Sequence, residues 1–254
     1  MDFWRKPECA RSGPDTLWTV SPTLSQLLDD AALLSFEHQL RLSEVLGRHS
    51  WGADLQAGRF EFTGDHPLVC TASHLLGTAA PGPGSWLWSW ANPAGYGPAV
   101  TGLAASVRDF GARHGIAQLA EAEVPFSALP GVTDAVGAAG VLVEAAKAVS
   151  GRFTSYTADA GGGTRIAVLI EHPDLALPAP EPARVMRVLQ QGVAELPLTD
   201  HRRAVYAYGV RRGLRVEFGP DHRNLVVTGP GLSATVDFDP AGRVSGISAS
   251  LGHA

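Results

Sequence analysis

Lysine is almost absent from this chain: Lys6 and Lys147 are its only two in 254 residues. Lys and Arg together number 20 against 25 Asp and Glu, which leaves a net charge of −5. General nucleic-acid binding requires a basic footprint, so no nucleic-acid partner is expected. Cysteine is as scarce. Cys9 and Cys70 cannot make a disulfide framework, and reduced thiols are expected. Long apolar runs are missing too. None approaches the ~18–20 residues of a membrane span, and the N-terminal MDFWRKPECARSG holds no apolar leader core. The expectation is therefore a cytoplasmic protein with neither a signal peptide nor a membrane association. The low lysine beside abundant Arg, Ala and Gly reads as codon bias of a GC-rich genome.

Catalytic signatures are also lacking. The nine histidines are scattered, with no pair at i+3 or i+4, so no metal site is expected. Neither a glycine-serine elbow nor a cysteine-centred signature is present. The run Gly161-Gly162-Gly163 is followed by a strand-like segment and lacks the Lys-Ser/Thr of a phosphate loop, so it reads as a hairpin turn. No cofactor and no catalytic residue is assigned. A His–carboxylate pair assembled by folding stays open, because such sites are spatial rather than sequential. His74 and His114 are the histidines that lie in or beside regular elements. His66 and His172 precede prolines and neighbour Asp65 and Glu171. Glu121 and Glu123 would share one face of a strand, where exposure to solvent explains them.

What the chain does have is the stretch Ser85-Trp86-Leu87-Trp88-Ser89-Trp90-Ala91-Asn92-Pro93, with three of its six tryptophans at every second position. On a strand these indoles share one face. Each buries roughly 150–250 Å². Core packing is the first reading. The second makes Trp86, Trp88 and Trp90 the wall of a ligand groove, with Asn92 and Tyr96 supplying polar groups at its end.

The strand SWLWSWAN, with HLLGT before it at His74–Thr78, resembles the signature of a bacterial family known as domain of unknown function 6882. WGADLQAGRFEF at Trp51–Phe62 fits the same pattern. The resemblance covers Leu24 to about Leu196. It implies a bacterial cytoplasmic protein, but no activity and no site residue.

Hydrophobic content of 45% and charged content of 18% are those of a globular protein. Three segments are expected: an irregular arm over 1–22, a main α+β domain over 23–197, and a helix with a small β meander over 198–254. Ser21-Pro22 reads as the start of a helix that runs to Gly47. Strands are expected at Ser50–Leu55, Arg59–Thr63, Leu68–Gly77 and Ser85–Ala91, forming one antiparallel meander. Helices follow at Gly102–His114 and Val132–Val149, with Leu119–Phe126 ambiguous between helix and strand. Phe153–Thr157 and Thr164–Ile170 make a hairpin. Two more helices span Glu181–Leu196 and Thr199 or Asp200 to Arg212. Four short strands separated by turn signals close the chain. Strands grouped between helices, without βαβ alternation, indicate an α+β fold of antiparallel sheets with helices on one face.

Arg202, Arg203, Arg211 and Arg212 concentrate positive charge in the 201–223 region, where they could meet a protein partner. The preferred function is a non-catalytic binding module with a Trp-rich strand lining or supporting a groove for a small molecule or peptide. The alternatives are a chaperone- or inhibitor-like interaction module acting through the Arg region, and an enzyme of unrecognised type.

Overall fold

The computed structural model describes residues 21–251; the expected docking of Trp4 and Trp18 and the thiol of Cys9 lie outside them. The fold is α+β, with three antiparallel sheets. Helix α1 (Leu24–Leu46) opens it. Its cap is Thr23 rather than Ser21. Thr23 Oγ1 accepts from Gln26 N, and Gln26 Oε1 accepts from Thr23 N, so two of the free end groups are satisfied reciprocally.

Strands β1 (His49–Asp54), β2 (Arg59–Gly64) and β3 (Leu68–Val69) form a small sheet of their own. A five-stranded sheet has the order β6-β5-β4-β8-β7, built from β4 (Ala72–Ala80), β5 (Ser85–Trp88), β6 (Glu123–Pro125), β7 (Ser155–Asp159) and β8 (Arg165–Glu171). The expected single meander is thus two sheets. The segment read as one strand, 68–77, breaks at Cys70-Thr71 and crosses from the small sheet to the large one.

The large sheet is buried on both faces. Leu75, Val168 and Ile170 pack with Phe60 and Phe62 of the small sheet. Leu76, Ala79, Trp86, Trp88, Ala167 and Leu169 join the main core with α2 (Pro98–His114) and α4 (Ala135–Ser150). α2 begins four residues earlier than expected, because Pro98 is tolerated in its first turn. The ambiguous stretch splits into a short helix α3 (Ala117–Ala120) and β6.

α1 lies behind α4, and its far side is covered by α7 (His201–Arg211). Between them run α5 (Pro182–Arg187), a π-helical turn (Val188–Gly192) and α6 (Val193–Glu195). A Cβ on Gly192 would come 2.6 Å from Leu33 Cδ2, so glycine lets this turn approach α1 without displacing that side chain. The chain ends in a four-stranded meander of order β12-β11-β10-β9: β9 (Arg215–Phe218), β10 (Asn224–Gly229), β11 (Leu232–Phe238) and β12 (Val244–Leu251).

A helix covered on both sides must find a partner for every polar side chain it buries. α1 does so by drawing on later elements. Asp29 accepts from the backbone N–H groups of Thr199 and Asp200 at 2.8 and 2.9 Å. Asp30 takes both arms of Arg203 at 2.8 Å each. Ser35 donates to Glu144 and accepts from Lys147 Nζ. Glu37, fully buried, meets Arg212 at 2.9 Å, Arg184 at 3.3 Å and the Tyr208 hydroxyl at 3.0 Å. Burial raises Asp29 and Asp30 above the ordinary carboxylate range. Burial and the Glu37 carboxylate together push the Tyr208 phenol up.

Candidate functional site

The most developed polar constellation beside a cavity lies where α4 ends. Its C-cap Gly151 adopts φ 69°, and Arg152 follows at once. A cation there complements the partial negative charge of the helix end. β4 brings His74 and β8 brings Glu171 to the same place, because Ala72 pairs with Glu171 and His74 sits two register positions along, opposite Leu169 and so on the same face. His74 Nε2 lies 2.8 Å from Glu171 Oε1, and Arg152 Nε donates to that same oxygen at 2.6 Å. The hydrogen bond from His74, reinforced by Arg152, holds the Glu171 carboxyl below its ordinary range. With Nε2 facing the carboxylate, the proton of the neutral ring sits on Nε2, and Nδ1 presents a lone pair. Nδ1 has no partner among the described residues.

Two clefts flank this group. The first, about 490 Å³, lies between α2 and the end of α4. Leu103, Phe110 and Val149 give it apolar walls, and His74, Arg113 and Arg152 give it polar ones. Arg113 has no counter-ion among the described residues. The second, about 400 Å³, is lined by His38, Arg152, Thr154, Glu171 and His172. Burial lowers His38 to about 4, with Lys147, Arg212 and Arg184 adding to the effect, so its ring stays neutral. His38 Nδ1 meets Thr154 Oγ1 at 2.9 Å, and the ring stacks on Phe153. Among the described residues no group of three His, Cys, Asp or Glu side chains is placed to hold a metal ion. No described helix is long and apolar enough to cross a membrane.

The tryptophan stretch and the arginines of the 201–223 region lie elsewhere. Trp86 and Trp88 have no exposed surface and meet edge to face at 5.4 Å. Trp88 Nε1 donates to Gln118 O. β5 stops at Trp88, and a 3₁₀ turn (Ser89–Ala91) carries Trp90 out of their row to lie under the Arg108 guanidinium. Asn92 Oδ1 accepts from Ala94 N, an Asx turn, and Tyr96 packs against the small-sheet core. None of these five lines either cleft. Arg203 and Arg212 reach inward to Asp30 and Glu37, Arg211 donates to Ala148 O, and Arg202 lies over the Phe238 ring. Cys70 is a free thiol, pushed up to about 11 by burial. Of the histidines picked out, His74 joins the constellation with Glu171. His114 instead packs on Phe110 at the end of α2.

A model for a family of unknown function, DUF6882, matches residues 25–173. The chain belongs to that family. No curated protein and no solved structure matches it. The DUF6882 match holds His74, Arg113, Arg152 and Glu171, hence the whole constellation and its first cleft. It ends before the about 196 expected from the resemblance. Arg184, Arg203, Tyr208 and Arg212, which partner α1, and the β9–β12 meander all lie beyond it.

Sequence reasoning missed Arg113, Arg152 and the pairing of Glu171 with His74. His74, Arg152 and Glu171 are 78 and 19 residues apart in turn (152 − 74 and 171 − 152), so no spacing rule connects them. The one local signal was a cation directly after a helix-ending glycine.

Proposed function

We propose that this protein is a binding module for a small anionic molecule with an apolar body, held in the cleft between α2 and α4. One observation carries the reading: an apolar-walled cleft into which an arginine without a counter-ion among the described residues, a second arginine and an imidazole converge. Small-molecule sites combine mostly apolar walls with a few placed polar groups. Arg113 would meet the carboxylate, phosphate or sulfonate head. Arg152 and His74 are held in place by Glu171, so their ordering cost is met before the ligand arrives. The buried Trp86 and Trp88 support this groove from within the core, and do not line it. Among the described residues His74 contacts no hydroxyl or thiol that it could activate, so binding is preferred over covalent catalysis. A cytoplasmic setting is part of the proposal, in keeping with the unpaired Cys70 thiol.

The test uses 8-anilinonaphthalene-1-sulfonate, an apolar body with one anionic head, and reads its fluorescence and calorimetric affinity. Wild type should bind it in a 1:1 ratio. Arg113→Glu should weaken binding at least tenfold, while Arg113→Lys should retain most of it. Unchanged affinity in Arg113→Glu would sink the proposal.

A further inference from the structure

Six strands border the three sheets: β1 and β3, β6 and β7, and β9 and β12. An edge strand presents unpaired backbone groups, and proteins usually blunt it with charge. Among these edges in the described residues, β9 alone carries both signs of full charge, in the order Arg215-Val216-Glu217-Phe218. Arg215 and Glu217 point to one face, where they pair with each other at 2.5 Å and are 74% and 59% exposed. A lone charge on an edge repels a second copy. An Arg and a Glu two residues apart do the reverse in one register. With two copies antiparallel and Val216 on the dyad, Arg215 stands opposite Glu217 of the other copy, twice. The four charges then alternate in sign, and opposite charges directly across a strand pair are favourable.

The other face of β9 lies against α7. Val216 packs over Gly209, and Phe218 stacks on Tyr206 at 5.8 Å. Tyr206 and Val210, one turn apart on α7, are 40% and 37% exposed, and Tyr206 is the ring that Phe218 stacks on. Large apolar side chains beside an unpaired strand mark an interaction surface. A two-fold pairing would bring this apolar stripe against its own copy, as an isologous interface requires.

We infer that this protein forms a homodimer by antiparallel pairing of β9 with β9 of a second copy, centred on Val216. The surface lies outside the DUF6882 match and apart from the α2–α4 cleft, so its test is independent of the ligand reading.

The experiment is light scattering coupled to gel filtration, over about 5–200 µM, on the full chain and three variants. Wild type should reach twice the chain mass of 26.6 kDa at the upper concentrations. Arg215→Glu places like charges opposite each other and should shift dissociation at least tenfold towards monomer. Glu217→Arg should do the same. The double variant Arg215→Glu/Glu217→Arg restores opposite signs in the same register and should recover the dimer. Both side chains are exposed, and circular dichroism of each variant checks that the fold is kept. A wild type that stays monomeric throughout would overturn the inference. So would a dimer indifferent to both single reversals, or one that the double swap does not restore.

Discussion

His38 makes a quantitative link between burial and acid stability. Its imidazole lies between α1 and the Thr154 hydroxyl, stacked on Phe153, and burial with three nearby cations lowers it from 6.5 to about 4. Above pH 6.5 both the folded and the unfolded chain hold this ring neutral, and its contribution to stability is whole. As pH falls from 6.5 towards 4, the unfolded chain takes up a proton that the folded one refuses, and the contribution is lost. At about 1.36 kcal/mol per pKa unit, the full loss is roughly 3 kcal/mol, most of it felt by about pH 4.5. His38→Gln keeps a partner for Thr154 but cannot titrate. Urea unfolding of both proteins at about pH 7.5 and 4.5 isolates the effect. Glu171, held low, loses stability in acid, whereas the raised Asp29 and Asp30 gain it, and these terms cancel in the difference between the two proteins. The variant is expected to pay a packing cost at pH 7.5 that shrinks or reverses by ~2–3 kcal/mol at pH 4.5. An equal difference at the two pH values would refute the reasoning.

Two further substitutions test the core. A Cβ on Gly77 would run into the Leu87 carbonyl and lie 2.6 Å from Trp86 Cζ2, so Gly77→Ala should cost ~1–3 kcal/mol in chemical denaturation. Gly102, on an open face of α2 with nothing within 4 Å, is its control: Gly102→Ala should gain ~0.5–1 kcal/mol, and similar values at both positions would contradict the close contact. Arg212→Ala leaves the buried Glu37 carboxylate with Arg184 and Tyr208 only, and should cost ~3 kcal/mol, the lower end for breaking a buried pair. A melting temperature within about 2 °C of wild type would show that Arg184 and Tyr208 suffice for Glu37.

Local chemistry by itself determined the elements of this protein. Apolar spacing and caps set most of the helices, alternation and turn residues set the strands, and the last four strands form the meander that their turns announce. The motif residues of HLLGT and SWLW are explained together, since Gly77 is the gap over which the Trp86 indole lies. Where an element ends was less legible: β5 pairs with β6 only as far as Leu87 and leaves the sheet after Trp88, a limit set among neighbours that no window of sequence contains. The site was beyond local reading for the same reason. His74, Arg152 and Glu171 meet only because β4 and β8 pair and α4 ends above them. Arg203 of α7 and Arg212 just after it look like part of a surface patch in sequence. They turn inward because α1 buries Asp30 and Glu37, and an ion stripped of water must find its counter-charge wherever the fold supplies one.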